Sequence, residues 1–185
     1  MKCFILLSFT SVVRQSTISP RVKKDFDTSR HLCRKDVFFE NGRAWIRYKW
    51  AKNAQSALDS QDNKILPVIR GSILCPTNAL KQMLVSYPTA DPNQALISLS
   101  DSSPMPLTLI NRVWRETTTK LGLVGKRYTM HCLRKGGSKI IQEMTNDDDC
   151  VQAYGVWKSE KGLRAYIKDK ANLKANSAFE RLSCN

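Results

Sequence analysis

The sequence predicts an α+β fold in which a small three-stranded antiparallel sheet belongs to a mostly helical domain. The first observation is Asn41-Gly42, a pair that favours a tight type I′ hairpin turn between the β-rich stretches 37–39 and 44–48. The second is the stretch 64–69, in which Pro67 predicts an edge strand. The third is the helical spacing of apolar residues through most of the remaining chain.

The predicted helices lie on both sides of these strands in the sequence. The first begins at residue 3 and ends before Pro20, because the residue before a proline avoids helical backbone. Pro76 suits the first turn of a later helix, and Gly122 suits the end of another. In chain order the predicted helices are 3–18, 76–86, 108–121, 129–144, a short one ending at Gly155, and a last one that begins at Ser159 and Glu160.

Composition predicts one globular domain with a polyanionic partner. The chain has 185 residues, and its 30 Lys and Arg outnumber its 16 Asp and Glu, for a formal net charge of +14. Each Lys or Arg that neutralises a phosphate releases counterions, so a basic domain favours nucleic acid. The alternative is a soluble protein that is basic without such a partner.

Cysteine and histidine usage predicts no zinc site and no disulfide framework. The six cysteines form no C-x-x-C pair, their spacings are wide, and the chain has only two histidines. Reduced thiols of the cytosol or nucleus are the expectation. Residues 1–13 resemble a short signal peptide, which leaves a secreted basic protein as an alternative. No stretch is long and apolar enough to span a membrane.

Chemistry is suggested by one helical segment and two aromatic residues after it. His131 and Arg134, at i and i+3, share a helix face from which a phosphate can be bound, and Gly136-Gly137 allows close backbone approach. The Trp157 indole can donate to a phosphate oxygen. The Tyr166 phenol is a usable nucleophile where cations stabilise its anion. Taken singly, each of these residues also fits an ordinary core or helix-surface position.

Together these segments resemble the C-terminal catalytic core of the tyrosine recombinases, or phage-type integrases. The residues that carry the resemblance are HCLRKGG at 131–137, YGVWKS at 154–159 and Tyr166, and the variety closest to them is that of the eukaryotic DIRS-like and Crypton-like mobile elements. Residues 8–16 are similar to the family's helix with its first catalytic arginine. Residues 47–55 are similar to the strand and turn with its catalytic lysine.

The resemblance runs from residue 4 to about residue 170, and its residues match in order. It implies a catalytic domain at 1–170 without the family's N-terminal DNA-clamping domain, followed by a C-terminal tail at 171–185. Thr17 stands where relatives often hold an acidic or amide residue, which weakens the orientation of the first arginine. The site residues carried over are Arg14, Lys52, His131, Arg134, Trp157 and Tyr166.

The roles that the resemblance implies form a mechanism without metal or nucleotide. Arg14 and Arg134 would hold the non-bridging oxygens of a scissile phosphate, with support from Trp157. Tyr166 would attack phosphorus to form a 3′-phosphotyrosyl link and free a 5′-hydroxyl. Lys52 would be the general acid on that leaving oxygen.

His131 would assist proton transfer in the same reaction. The implied partners are double-stranded DNA and further copies of the chain, as a homo-tetramer on two DNA duplexes, with a nuclear or cytoplasmic location. Two further alternatives remain open at this stage. One is a catalytically inactive DNA-binding remnant of a mobile element, and the other is a type IB topoisomerase, which shares the chemistry.

Overall fold

The protein is described by a computed structural model that covers residues 1–49, 62–123, 128–155 and 163. The chain divides into two compact units, Met1–Gly137 and Ser138–Asn185. The first unit holds the sheet and the helices that surround it, so most of the fold described below belongs to it.

The sheet has the predicted three strands and the predicted antiparallel pairing. The two positive backbone angles of the hairpin turn, φ 50° at Asn41 and φ 75° at Gly42, are those that a type I′ turn requires. The sheet order is β1-β2-β3, so β3 is an edge strand as Pro67 predicted. The bounds are β1 Val37–Glu40, β2 Arg43–Tyr48 and β3 Asp62–Ile65.

The third strand differs from the prediction at both ends. It begins at Asp62, two residues before the predicted start, and it ends at Ile65. The last ladder bond beyond it is donated by the Leu66 N–H to the Ala44 carbonyl at 2.8 Å. The missing N–H of Pro67 lies on the outer edge of the sheet, because alternate residues such as Leu66 are the ones that face β2.

Alternation along β2 separates a buried face of the sheet from an outer one. Ala44, Ile46 and Tyr48 are buried. On the other face Trp45 is paired with Phe38 of β1 and Ile65 of β3, and the Phe38 and Trp45 rings stack at 5.9 Å between centroids. The buried face therefore points toward the helices of the first unit, and the outer face keeps a partly exposed apolar row.

Six α-helices are described, and most match the predicted positions. They are α1 Lys2–Thr10, α2 Gln15–Ile18, α3 Pro76–Ser86, α4 Leu107–Lys120, α5 His131–Thr145 and α6 Asp148–Gly155. Single 3₁₀ turns lie at Lys23–Asp25 and Arg34–Asp36. Gly122 takes φ 69° just after α4, the left-handed conformation expected beyond a helix end.

The prediction of one continuous helix over 3–18 is wrong. The chain leaves the helix at Ser11, whose N–H donates to the Leu7 carbonyl at 3.0 Å, and Val12 then takes φ 54°. A left-handed conformation at a β-branched residue costs about 1–3 kcal/mol. It is tolerated here because Val12 is fully buried and the Tyr48 hydroxyl donates to the Ser11 hydroxyl at 2.8 Å.

The core of the first unit lies between α1 and the buried face of the sheet. Phe4 and Leu7 of α1 are fully buried with Ile46 of β2 and Leu80 of α3 in one apolar cluster. In the second unit the Gln142 amide donates to the Asp148 carboxylate at 3.2 Å, which ties α5 to the first turn of α6. Within the described ranges, no helix is long and apolar enough to cross a lipid bilayer.

Candidate functional site

Arg14 lies at the turn between α1 and α2. It is the N-cap residue of α2, with extended backbone at φ −71° and ψ 138°, and its carbonyl accepts the Thr17 N–H at 2.9 Å. Its side chain is exposed while Val12, Val13 and Thr17 around it are buried. The turn therefore presents one cation to solvent from a backbone that is held on its inner side.

His131 and Arg134 lie in the first turn of α5. The helix starts with backbone bonds from the Cys132 N–H to the Thr129 carbonyl at 2.9 Å and from the Leu133 N–H to the Met130 carbonyl at 3.1 Å. His131 is at the surface, whereas Arg134 is only 5% exposed. Because the positive end of the helix dipole favours anions, this end of α5 is a suitable place for a phosphate.

The segment before α5 is attached to α4. The Trp114 indole N–H donates to the Tyr128 carbonyl at 3.0 Å, and Met130 is buried in the apolar core. These contacts fix the direction in which α5 starts. His131 is thereby held at the surface end of the helix by groups that take no part in binding.

Arg134 and Arg14 are both close enough to His131 for their charges to affect it. Partial burial of its ring lowers the pKa of His131 below the usual 6.5, and the nearby charges of Arg134, Arg14 and Lys135 lower it further. Cations disfavour a second positive charge beside them, and the field that disfavours it attracts an anion. We call Arg14, His131 and Arg134 the basic cluster.

The basic cluster can bind the oxygens of a phosphate and keep a neutral imidazole beside them. Two guanidinium groups each offer a planar fork of N–H donors to such oxygens. A bound anion would also raise the pKa of His131, which turns the imidazole into a proton carrier near neutral pH. None of its members lines the cavity of about 230 Å³ beside α1, α3 and Arg34.

Of the glycine pair after Arg134, Gly137 approaches another backbone closely, as the sequence predicted. The backbone that it meets is the last turn of α1, at Phe9. No candidate metal cluster of His, Cys, Asp or Glu is found among the residues that the structure describes.

The other three predicted site residues lie outside the described residues. Lys52 belongs to the segment between β2 and β3, and Trp157 comes two residues after the end of α6. Tyr166 comes three residues after Leu163, which is helical and buried. The structure thus brings together Arg14, His131 and Arg134, and the places of Lys52, Trp157 and Tyr166 stay predictions.

Sequence reasoning missed two lysines at the ends of the segment that contains Lys52. The Lys49 ammonium lies 2.5 Å from the buried Asp36 carboxylate, which also accepts the Cys33 N–H at 2.7 Å. Lys64 is 3% exposed on the strand face that holds Ile46. The sequence did carry a signal for the burial of Lys64. It lies two residues before the apolar Leu66, and alternate residues of a strand lie on the same face. For Lys49 the sequence offered no comparable signal, because its partner is thirteen residues away.

Comparison with solved structures assigns the fold. XerH site-specific recombinase, in a post-cleavage complex with palindromic difH substrate, matches 96% of this chain with a TM-score of 0.67 and 20% identity. XerA recombinase matches 97% of it with a TM-score of 0.62 and 16% identity. The chain has the fold of the tyrosine recombinases.

The Tn1549 transposon integrase, in complex with circular intermediate DNA, is a third tyrosine recombinase with this fold. It matches 89% of this chain with a TM-score of 0.59 and 14% identity. The chain spans about half the length of these structures: 45% of XerH, 57% of XerA and 52% of the Tn1549 integrase. No protein-family model and no curated protein matches the sequence. The predicted tyrosine recombinase fold is confirmed.

Proposed function

We propose that this chain is the catalytic domain of a tyrosine-type recombinase that cleaves and rejoins DNA in site-specific recombination or integration. The observation that carries the proposal is that the charges of Arg134 and Arg14 both act on His131 at the start of α5. These residues belong to a chain with the tyrosine recombinase fold. Two guanidinium groups can stabilise the charge that develops on a transferring phosphoryl group without a metal.

In the reaction, one phosphodiester bond of DNA is exchanged for a bond between phosphorus and the protein, and the exchange is then reversed. The Tyr166 phenolate attacks phosphorus, the bond to the 5′-oxygen breaks, and the proton that this oxygen needs comes from Lys52. Arg14 and Arg134 stabilise the charge on the non-bridging oxygens, and each contributes about 10²–10³-fold to the rate. Rejoining is the reverse reaction with a second 5′-hydroxyl, so no nucleotide is consumed.

Two further residues assist this chemistry. Trp157 donates its indole N–H to a phosphate oxygen and supports the arginines. His131 exchanges a proton with the reacting oxygens. Its pKa lies below 6.5 in the free protein and rises when an anion binds, so the imidazole can take up a proton and release it. These roles rest on the resemblance in sequence for Trp157 and on the electrostatics of the basic cluster for His131.

The proposed partner is double-stranded DNA, and the proposed assembly is a homo-tetramer on two duplexes. Support for DNA comes from the net charge of +14 and from the similar structures, since XerH was solved with its difH substrate and the Tn1549 integrase with circular intermediate DNA. We also propose a DIRS-like or Crypton-like mobile element as the source of the domain. The proposed location is nuclear or cytoplasmic.

The test is capture of the covalent intermediate on a nicked duplex. Binding sites are first selected from a random-sequence library with the purified chain, and each selected site is then offered with a nick beside the expected cleavage position. Cleavage releases a short fragment, so the reverse reaction cannot occur and a protein–DNA adduct survives detergent. Tyr166→Phe abolishes the adduct, whereas the matched Tyr87→Phe at an exposed tyrosine keeps it.

The other possible results separate the alternative functions. Binding that weakens steeply with salt, with no adduct on any selected site, identifies a DNA-binding remnant and overturns the enzymatic proposal. Relaxation of a supercoiled plasmid without sequence preference identifies a type IB topoisomerase. Adducts that form on selected sites and need Tyr166 support a recombinase.

A further inference from the structure

Helix α5 meets the last turn of α1 at two consecutive glycines, with contacts of different kinds. A Cβ added to Gly137 would lie 2.1 Å from the Phe9 carbonyl oxygen and 3.1 Å from Cγ2 of Val12. A Cβ added to Gly136 would meet only the edge of the Phe9 ring, at 3.1 Å from Cε2. A ring edge can tilt away, but a backbone carbonyl in a helix cannot, so only position 137 strictly requires glycine.

The α1 side of this contact is itself held in an unusual conformation. Val12 is fully buried at φ 54°, and its side chain reaches the Gly137 position. The Tyr48 hydroxyl holds Ser11 from the sheet side at 2.8 Å. A β-branched residue stays in the left-handed region only where its surroundings hold it there, and such residues concentrate at functional sites.

This contact joins the two backbone segments that carry the basic cluster. Arg14 follows Val12 by two residues, and Arg134 precedes Gly137 by three, which is about one helical turn. Because the two guanidinium groups have the same charge, they repel each other, and a rigid backbone contact is needed to keep them on one site.

We propose that Gly137 and Val12 are positioning residues that set the separation of Arg14 from Arg134 and His131. Neither touches the phosphate. The absence of a side chain at position 137 allows α5 to lie directly on the Phe9 carbonyl, and the left-handed turn at Val12 then directs Arg14 toward the start of α5. The effect of these residues on catalysis rests on the proposed function, whereas their effect on the position of Arg14 does not.

The first experiment compares Gly137→Ala with the matched control Gly136→Ala. Both changes add one methyl group at adjacent positions of the same helix, so their intrinsic effects on helix formation are alike. The readout is an NMR titration of the histidine rings, which is simple because the chain has only His31 and His131. Among the described residues, the charges that act on His131 are those of Arg134, Arg14 and Lys135.

In folded Gly137→Ala, we expect the pKa of His131 to rise toward 6.5, because α5 moves away from Arg14 and from the groups that bury the ring. The pKa of His31 should stay as in the wild type, and Gly136→Ala should change neither. An unchanged His131 pKa in folded Gly137→Ala would overturn the proposal. Equal shifts of both histidines would also overturn it, since they indicate a general loosening.

A second readout measures the effect on chemistry. With saturating nicked DNA, Gly137→Ala should form the covalent adduct about 100-fold more slowly, because a displacement near 1 Å costs about that factor. Gly136→Ala should remain within about 3-fold of the wild type on the same scale. If the wild type forms no adduct, the proposed function fails while the titration still decides the positioning role.

Val12→Gly decides the question if Gly137→Ala does not fold. This variant loses a buried side chain, but glycine takes the left-handed conformation without strain, which offsets part of that cost. It should nevertheless hold the turn less firmly, and repulsion should then move Arg14 away and raise the pKa of His131. A folded Val12→Gly protein with the wild-type His131 pKa would contradict the proposal.

Discussion

The two arginines of the basic cluster are held in place in different ways. Arg14 is exposed and extends from an irregular turn whose neighbour Val12 has φ 54°. Arg134 is 5% exposed and lies within the regular backbone of α5. One cation is therefore held through its backbone, and the other is also held through the burial of its side chain.

This difference predicts different consequences for stability and for binding. Removal of a buried side chain affects the packing of the fold, whereas removal of an exposed one mainly affects what the surface binds. A site built in this way combines a fixed cation with one that can adjust to the phosphate. The following variants test whether the two arginines do behave differently.

The largest loss of stability is expected for Arg134→Ala. It deletes a long side chain that is almost fully buried, and we expect a free energy of unfolding lower by about 2 kcal/mol or more. Urea unfolding measures it. Arg134→Met, which keeps most of the aliphatic volume, should recover part of the loss. If Arg134→Ala were as stable as the wild type, burial of the Arg134 side chain would not contribute to the fold, and the proposed difference from Arg14 would be wrong.

Tyr48→Phe is expected to have the next largest effect. The buried Tyr48 hydroxyl donates to the buried Ser11 hydroxyl, and its loss leaves Ser11 without that partner, which costs about 1–2 kcal/mol. The same urea experiment measures this change. Because Ser11 precedes the strained turn, adduct formation should also slow down. If Tyr48→Phe lowered stability without changing cleavage, the sheet would not be supporting Arg14.

A smaller effect is expected from pH, through His131. Its pKa is lowered in the folded protein, so the unfolded chain binds the proton more readily. The contribution to stability is complete above the ordinary value of 6.5 and is lost as the pH falls through the lower folded value. Urea unfolding at about pH 7.5 and about pH 5.5 should therefore show a smaller difference for His131→Gln than for the wild type. The same pH dependence in both proteins would contradict this.

The smallest change in stability is expected for Arg14→Ala, within about 0.5 kcal/mol of the wild type, because the side chain is exposed. Adduct formation should nevertheless fall by about 10²–10³-fold. Arg14→Lys is the matched variant, since it keeps the charge and loses the planar fork, and it should recover only part of the rate. Full activity in Arg14→Ala would exclude this residue from the site.

Much of the fold could be predicted because its signals are local. Asn41-Gly42 determines a turn by itself, and the bounds of α3 and α4 follow from apolar spacing and from residues at their ends. The break within 3–18 could not be predicted in the same way. Every residue from Ser11 to Val13 is compatible with a buried helix, and the turn there depends on Tyr48, which is distant in sequence.

The site could be predicted in part for a related reason. His131 and Arg134 lie three residues apart on one helix, so a motif is enough to place them together. Arg14 reaches them only through the packing of α1 against α5, and the sequence alone supplied it through a family resemblance. The need for glycine at position 137 is clear only once the Phe9 carbonyl is seen beside it.

The reactivity of the buried cysteines can report local unfolding of the protein. Among the described cysteines, Cys3, Cys33 and Cys75 are buried thiols, whereas Cys132 and Cys150 are partly accessible. Burial raises the pKa of Cys3 to about 12, so this thiol is protonated and slow to react while α1 is packed. The rate at which a thiol reagent labels Cys3 therefore reports how often α1 leaves the core, without any introduced probe.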